Sequence, residues 1–432
     1  MKKNNQKPLY IKLYESFRDR IVSGEIPPGT KMPSIRALSL KEQCSTTTAE
    51  NAYQQLLIEG YVESRPKKGY FSLDVEAMPA NDVRNPRDAK RERDHFPNER
   101  QTEDLFDTDT YRKIMNTLFV EESDLYSPCL STGERRFKEA IQYHLRTMRD
   151  VYTQPDNIVV ASGIQQLLLQ ITPFIGERSV AYLKPGFKRA ISLFETLDYT
   201  MHACEDIDAI IDAKPNLIYL SPSNTYPSGN VIPIGERQKL IKYARDNDAY
   251  IVEDDYNFLF RYNAYQIPAI QSLSKGNRVI YVGSFSRNTL ISFRMSYMVL
   301  PDALRERYDP DRFTQTISKI DQLTMARFII EGHYQRHLKR LANRSKKKND
   351  SLKFALKPYL ENDDEYSIYG LQSNMHFVIS TKTEKTKKRI LNRLHKLNFT
   401  YRTFLEQPGD IVVPYSGISN EKMESVIGFL LG

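Results

Sequence analysis

Cysteine is scarce in this 432-residue chain, and no long uncharged apolar run occurs anywhere in it. The three cysteines, Cys44, Cys129 and Cys204, are odd in number and far apart. That pattern fits neither a disulfide framework nor a zinc site, so all three are expected to be packing residues and no metal is expected. The basic N-terminus, MKKNNQKPLYIKLYESF, has polar or charged residues every few positions and so lacks the apolar stretch of a signal peptide. Without a membrane-spanning run either, the protein is expected in the cytoplasm with no membrane partner. Neither apolar nor charged residues are depleted, at 40% and 27%, which excludes a disordered chain and leaves a soluble globular one. The length exceeds what one ordinary core serves, and a small unit beside a large one is the expected division.

The formal charge of +8 is unevenly spread, because residues 1–73 hold 12 Lys and Arg against 7 Asp and Glu. A basic N-terminal sixth suits a polyanionic partner, since phosphate neutralisation supplies most non-specific affinity for DNA. A solvated basic face would read the same way, and the local pattern is what separates the two.

Tyr10, Leu13, Tyr14, Phe17 and Ile21 recur at helical spacing before SGEIPPG breaks the helix. Ser34 can cap a second helix with Ile35 and Leu38 inward. Ser45 can cap a third, in which Ala49, Ala52, Tyr53, Leu56 and Leu57 form the buried stripe before Gly60. The third helix opens with Ser45, Thr46, Thr47 and Thr48, hydroxyls at a helix N-terminus where amides and dipole attract phosphate. YVESR, PKKG and YFSL then read as a hairpin with Lys67 and Lys68 at its tip. A packing unit without a ligand would explain the helices and the hairpin equally. The segments PLYIKLYESFRDRIVSGEIPPGTKMPSIRAL and NAYQQLLIEGYVESRPKKGYFS, however, closely resemble the GntR-type winged helix-turn-helix. The resemblance implies that double-stranded operator DNA is the partner and that Arg36, two residues after Ser34, contacts it. The family's usual Ser-Arg pair before the recognition helix is here Ser45-Thr46, so the arginine that commonly reads guanine is absent.

Residues 74–94 are proline-interrupted, mixed in charge and almost without large apolar residues, and are expected to be a linker, with ordered structure resuming near Phe96. Beyond them, the buried-strand runs NIVVASG, SVAYL, NLIYLSPS, AYIVEDDY and RVIYVGSF alternate with helical segments such as IQQLLLQITPFI and ERQKLIKYARDN. The expected fold class is α/β: a winged helix-turn-helix over 1–73, then an α/β domain over 95–432 around a mostly parallel sheet. Ligands gather at the carboxyl ends of such strands. There the sequence places Asp254, able to hold a protonated pyridine nitrogen, with Tyr256 as a hydroxyl donor. Ser284, Ser286, Arg287 and Arg294 offer an oxyanion cradle. Ile164 and Gln165 open a helix whose amides can meet phosphate, SPSNTYPSGNVIP forms a Pro-Gly loop, and Phe187 sits on a turn where its ring can stack.

In this order the loops resemble the aminotransferase-like domain of fold-type I pyridoxal-phosphate enzymes, and with the winged helix in front the chain resembles the MocR subfamily of GntR regulators. The resemblance implies a smaller α+β C-terminal subdomain over about 340–432 and a homodimer built through the large domain. It also implies Asp254 on the pyridine nitrogen, Tyr256 on the ring hydroxyl, and Phe187 on the ring face. Ser284, Ser286, Arg294, Ile164 and Gln165 would take the phosphate. The family's Ser-Lys dipeptide, whose lysine bonds the cofactor covalently, is Ser286-Arg287 here. A guanidinium stays protonated and cannot make that bond, so no catalytic residue and no covalent cofactor are expected. Other departures agree: the His-Gln of the Pro-Gly loop is Asn224-Thr225, the Pro before the phosphate arginine is Ile291, and QPGDIVVPYSGI lacks the arginine that grips a substrate carboxylate. Lys184 and Lys188 flank Phe187 and are expected to face solvent rather than replace the amine. The two readings are a DNA-binding regulator with a catalytically degenerate sensing or dimerising domain, and an active aminotransferase with an appended DNA-binding module. Arg287 discriminates against the second. Within the first, the pocket holds non-covalent pyridoxal phosphate, another small anionic effector, or nothing.

Overall fold

Helical spacing and two serine caps shape the N-terminal part of the protein in a computed structural model, which describes residues 8–75, 105–259, 267–360, 364–372, 375–404 and 407–432. The chain divides into two compact units, Met1–Arg93 and Asp94–Gly432. From residue 76 onward the expected linker lies outside the described residues, as does Phe96.

In the first unit, α1 (Leu9–Val22) turns Leu13, Phe17 and Ile21 into the core. Tyr10, expected on that face, is exposed together with Leu9, because the first turn of the helix lies beyond the reach of the core. The Ser34 hydroxyl accepts the Ala37 amide at 3.2 Å to start α2 (Ile35–Lys41). The Ser45 hydroxyl does the same for Thr48 at 3.1 Å to start α3 (Thr46–Ile58). Such caps stabilise a helix by about 1 kcal/mol each. An antiparallel hairpin follows, β1 (Val62–Arg65) and β2 (Gly69–Ser72), with Val62 opposite Ser72 and Lys67 in the left-handed region at its tip. Phe17, Ile21, Leu38, Tyr53, Leu56 and Val62 close one core beneath helices and hairpin.

The second unit begins with α4 (Thr108–Glu121), capped by Asp107, and α5 (Arg135–Arg149). Its large sheet is then built from β3 (Ile158–Ala161), β4 (Ser179–Leu183), β5 (Thr200–Cys204), β6 (Leu217–Leu220), β7 (Tyr250–Asp254), β8 (Val279–Ser284) and β9 (Ser296–Val299). The helices α6 (Ile164–Ile171), α7 (Lys188–Thr196), α8 (Ile207–Asp212), α9 (Ile234–Asp246) and the short α10 (Ile270–Leu273) connect successive strands. The strand order is β3-β9-β8-β7-β6-β4-β5; β9 runs antiparallel to both neighbours and every other pairing is parallel. Two strands escaped the sequence pattern. The run TMHAC of β5 is a sheet edge with half-exposed positions, and β9 follows a polar loop without a turn signal.

Alternation along the strands feeds a core on each side of the sheet. Ile158 and Val160 pack with Phe137, Ile141 and Phe328, while Val159 and Ala161 pack with Leu167, Leu168 and Val180. Cys204 is buried in a third cluster, and Cys44 packs half-buried against the core of the first unit. After α11 (Asp302–Arg307) and α12 (Lys319–Ile330), the long α13 (His333–Leu356) leads into the C-terminal subdomain. There β10 (Tyr366–Tyr369), β11 (His376–Thr381), β12 (Arg402–Thr403) and β13 (Asp410–Pro414) form an antiparallel sheet in the order β10-β11-β13-β12. With α14 (Glu384–Lys396) and α15 (Asn420–Leu431) it encloses its own core around Phe377, Ile390, Ile411 and Ile427.

The end of β7 is fixed by a buried ion pair. Arg149 Nε donates to Asp255 at 2.5 Å, with the two side chains 2% and 0% exposed. Its other nitrogens reach the Ile267 carbonyl and the Ser223 hydroxyl, each at 3.1 Å, and the Tyr281 hydroxyl donates to Asp255 at 2.6 Å. Removing one partner of such a pair strands a charge out of water. Asp255→Asn is therefore expected to destabilise the protein by about 3–5 kcal/mol. A variant that unfolds at the parent's temperature or urea midpoint would show that Arg149 finds compensation elsewhere.

Candidate functional site

A cavity of about 1070 Å³ opens at the carboxyl ends of the large sheet's strands. Strand geometry explains its walls. Asp254 is the last residue of β7 and Ser284 the last of β8, adjacent parallel strands in which Asp254 pairs with Val282. Across β9, the end of β3 leads through Gly163 into α6, whose first two residues are Ile164 and Gln165.

The anion-binding end depends on one glycine. Gly163 has φ +93°, and a Cβ there would lie 2.5 Å from Nη2 of Arg294. The guanidinium therefore sits against the N-terminus of α6, where unpaired amides and the helix dipole already favour an anion. Arg294 itself holds a left-handed backbone, φ 51°. Ser284 lies beside it, donating to the Met295 carbonyl at 3.3 Å and accepting from Ser296 at 3.2 Å. The Ser286 hydroxyl is buried and finds no partner among the described residues.

At the floor, Asp254 is 5% exposed and accepts a short hydrogen bond from Tyr219. Burial pushes its carboxyl up to about 7, against the lowering effect of the Tyr219 hydroxyl. The Tyr256 hydroxyl and Nε of Arg287 are buried without partners among the described residues. The Arg287 guanidinium lies 5.1 Å from the centre of the Tyr256 ring, within cation–π reach. Phe187, the N-cap of α7, is half-buried on the wall. Nine of the ten residues expected to form this pocket thus line one cavity: Ile164, Gln165, Phe187, Asp254, Tyr256, Ser284, Ser286, Arg287 and Arg294. Asn224 does not line it. It is buried behind the loop with its amide unpartnered among the described residues, and its neighbours Thr225 and Tyr226 reach the cavity instead. Lys188 is exposed at the cavity rim, while Lys184 pairs with Glu205 at 3.0 Å.

The first unit carries the residues expected at DNA differently: Arg36, Thr46, Thr47, Lys67 and Lys68 are exposed and point to no internal partner role. Ser34 and Ser45 spend their hydroxyls on helix caps, and Thr48 shares a 2.8 Å hydrogen bond with Ser45.

Comparison with known proteins agrees with this division. The family described as "Bacterial regulatory proteins, gntR family" matches residues 9–71, and "Aminotransferase class I and II" matches residues 124–430. The uncharacterized HTH-type transcriptional regulator YhdI of Bacillus subtilis is 31% identical, over 97% of this chain and 94% of its own. The chain belongs to the GntR-type regulators that carry an aminotransferase domain. This regulator is also similar, at 27% identity, to the probable rhizopine catabolism regulatory protein MocR of Rhizobium meliloti, over 77% of this chain and 74% of that one. Among solved structures, the multiple substrate aminotransferase of Thermococcus profundus shares its fold, with a TM-score of 0.68 at 18% identity over 82% of this chain and 94% of that one. No helix among the regulator's described residues is long and apolar enough to cross a membrane.

Sequence reasoning missed four residues at the regulator's pocket. Tyr219, the partner of Asp254, was legible in principle as a polar hydroxyl inside the apolar run NLIYLSPS. Tyr226 follows directly on the Pro-Gly loop residues already singled out. His376 and Arg402 arrive from the C-terminal subdomain and carried no local signal. His376 Nε2 lies 2.9 Å from the Pro227 carbonyl, and burial, with the cations Arg287 and Arg402 nearby, pushes its imidazole down to about 4. Arg402 on β12 stands directly opposite Val412 on β13, and both line the cavity. Residues directly opposite in an antiparallel pair share a face. The segment QPGDIVVPYSGI, which has no arginine, is therefore accompanied by one on the adjacent strand. The cavity wall carries Lys188, Arg189, Arg287, Arg294 and Arg402 against Glu195 and Asp254.

The raised carboxyl of Asp254 has a measurable effect. The folded protein keeps its proton up to about pH 7, whereas an unfolded aspartate loses it near 4. Stability is thus expected to fall as pH climbs from about 4 through 7, because the folded state binds more protons there. Asp254→Asn should remove this dependence and gain on the parent by on the order of 3 kcal/mol between pH 5 and pH 8. Glu253, also pushed up to about 7 by burial, stays in both proteins and cancels. A difference in unfolding temperature that is constant across this range would mean that Asp254 does not hold a proton in the folded state.

Proposed function

We propose that the protein is a sequence-specific DNA-binding transcription regulator whose aminotransferase-like domain has lost catalysis and binds a small anionic ligand without a covalent bond. Residues 1–73 are read as the DNA-binding domain, 74–94 as the linker and 95–432 as the effector and dimerisation domain. The observation that carries the reading is Arg287 inside the cavity, stacked on Tyr256, in a wall that otherwise keeps the groups suited to a phosphorylated ring.

The unpartnered Tyr256 and Ser286 hydroxyls and the Gly163–Arg294 cradle support a fit to pyridoxal phosphate. Asp254 would meet the ring nitrogen, Tyr256 the ring oxygen, Phe187 the ring face, and Arg294, Ser284, Ser286 and the amides of Ile164 and Gln165 the phosphate. When bound to an amine, that cofactor supplies the electron sink for amino-group chemistry. Arg287 stands where the resemblance places the amine. Its guanidinium is delocalised and remains protonated, so it can hold an anion but not form the bond. Arg402 and Arg287 on the same wall favour a ligand with a second anionic group in addition to the phosphate.

Two outcomes are expected at the DNA-binding end. The protein should sediment as a homodimer at micromolar concentration, presenting paired winged helices to paired half-sites. Arg36→Ala should weaken operator binding strongly, whereas Lys67→Ala with Lys68→Ala should weaken all sequences and reduce the salt slope by about 1.8, roughly 0.9 for each phosphate no longer neutralised. Parent-like binding by both variants at matched salt would sink the assignment of recognition helix and wing.

At the pocket, a thermal-shift screen of phosphorylated cofactors and carboxylated phosphates should find a ligand that raises the unfolding temperature, since a ligand at a hundredfold excess over its Kd adds about 2.7 kcal/mol. Gly163→Ala, which drives a methyl into the Arg294 guanidinium, should abolish the shift. Borohydride treatment with pyridoxal phosphate should leave no pyridoxyl-lysine, and Arg287→Lys should create one. A near-stoichiometric pyridoxyl-lysine in the parent, found by mass spectrometry, would revive the aminotransferase reading.

A further inference from the structure

One strongly charged surface is used by neither the winged helix nor the pocket. The 24 residues of α13 hold eight Lys and Arg against a single acid, Asp350. Of the chain's formal +8, residues 1–73 supply +5 and α13 supplies +7, so the rest of the chain is net acidic. The positive charge of the large unit is therefore concentrated on its helices, α13 carrying the largest excess and α14 six Lys and Arg against Glu384.

Segregation continues within the helix. Its buried side is Tyr334, Leu338, Leu341, Ser345, Asn349 and Leu352, while Arg336, Lys339, Arg340, Arg344, Lys346 and Lys347 are exposed. Steps of three and four residues place Arg336, Arg340, Arg344 and Lys347 on one face, along about 16 Å of helix axis. Among the described residues, Lys339, Arg340, Arg344, Lys346 and Lys347 make no ion pair; the acids paired nearest in the chain are Glu331 and Glu365. Like charges at these spacings destabilise a helix by themselves. A solvated helix needs no such row, and a polyanion laid along it would relieve the repulsion.

We propose that this face of α13 is a second DNA-contacting surface, which grips the phosphate backbone without reading bases. The proposal rests on the reading of the chain as a DNA-binding regulator. Duplex DNA carries a negative charge about every 1.7 Å of axis, so a stripe of this length meets several phosphates. A winged helix already bound supplies the duplex at high effective concentration. An anionic membrane is the poorer match, since Phe354 is the single large apolar side chain that α13 exposes.

The test uses the full chain and a random-sequence duplex of about 60 base pairs, long enough for both surfaces to bind, with affinity followed by fluorescence anisotropy across salt concentrations. Arg340→Gln, Arg344→Gln and Lys347→Gln together should lower the salt slope by roughly 2–3 and weaken binding at least tenfold at low salt. Arg340→Lys with Arg344→Lys should keep the slope. Lys385→Gln, Lys388→Gln and Lys396→Gln on α14 remove the same charge from exposed positions elsewhere and should leave the slope nearly unchanged. An equal loss in both triple variants would mean a diffuse field rather than a surface, and would overturn the proposal. So would an unchanged slope in the α13 variant, or a defect confined to phosphatidylserine vesicles. Failure of the parent to bind any duplex would instead refute the regulator reading on which the proposal rests.

Discussion

Three consecutive acids at the end of β7 must each be satisfied in a different direction, and the rest of the pocket depends on how that is done. Glu253 accepts the backbone amides of Ile270 and Gln271, at 2.8 and 2.9 Å. Asp255 is locked by Arg149 and Tyr281. Between them, Asp254 has no freedom to turn away, and its carboxylate faces Tyr219 and the cavity. Buried carboxylates are costly unless paired or hydrogen-bonded. Here the two outer acids are held by structural partners while the middle one keeps its capacity for a ligand. Arg149 reaches this point from the last turn of α5, so a helix far away in the chain determines the aim of a pocket residue.

The same logic explains why the pocket is so rich in cations without collapsing. Arg294 is braced by the left-handed turn it occupies and by the close approach of Gly163. Arg287 rests on an aromatic face. Each guanidinium is held by geometry rather than by a carboxylate, which leaves its charge available. Among the described residues, Asp254 is the only buried acid on the wall. The cavity is thus set up electrostatically before anything enters it.

Much of this was legible in the sequence, and the boundary of legibility is physical. Caps at Ser34 and Ser45, the hairpin tip at Lys67 and the strand runs ending at Asp254 and Ser284 are local consequences of residue type and spacing, and they appear where the pattern puts them. The edge strand β5 and the antiparallel β9 were not legible, because their burial comes from neighbours rather than from their own alternation. His376 and Arg402 were beyond reach for a related reason: their place at the pocket is created by packing of the C-terminal subdomain, which no window of sequence contains. Asn224 shows the converse, a residue in the expected loop whose side chain turns inward while the next two residues face the cavity.

The pairing of Arg402 with Val412 shows how charge can relocate in a sheet. Neighbouring strands lie less than about 5 Å apart, and opposed residues project from the same face, so a long side chain can cover its neighbour's position from the next strand over. A guanidinium can move sideways in this way with little change in where its charge falls. Linear motifs follow one strand and would register only a loss. The surface that a ligand meets is two-dimensional, and on it Arg402 brings from β12 a charge that β13 itself does not carry.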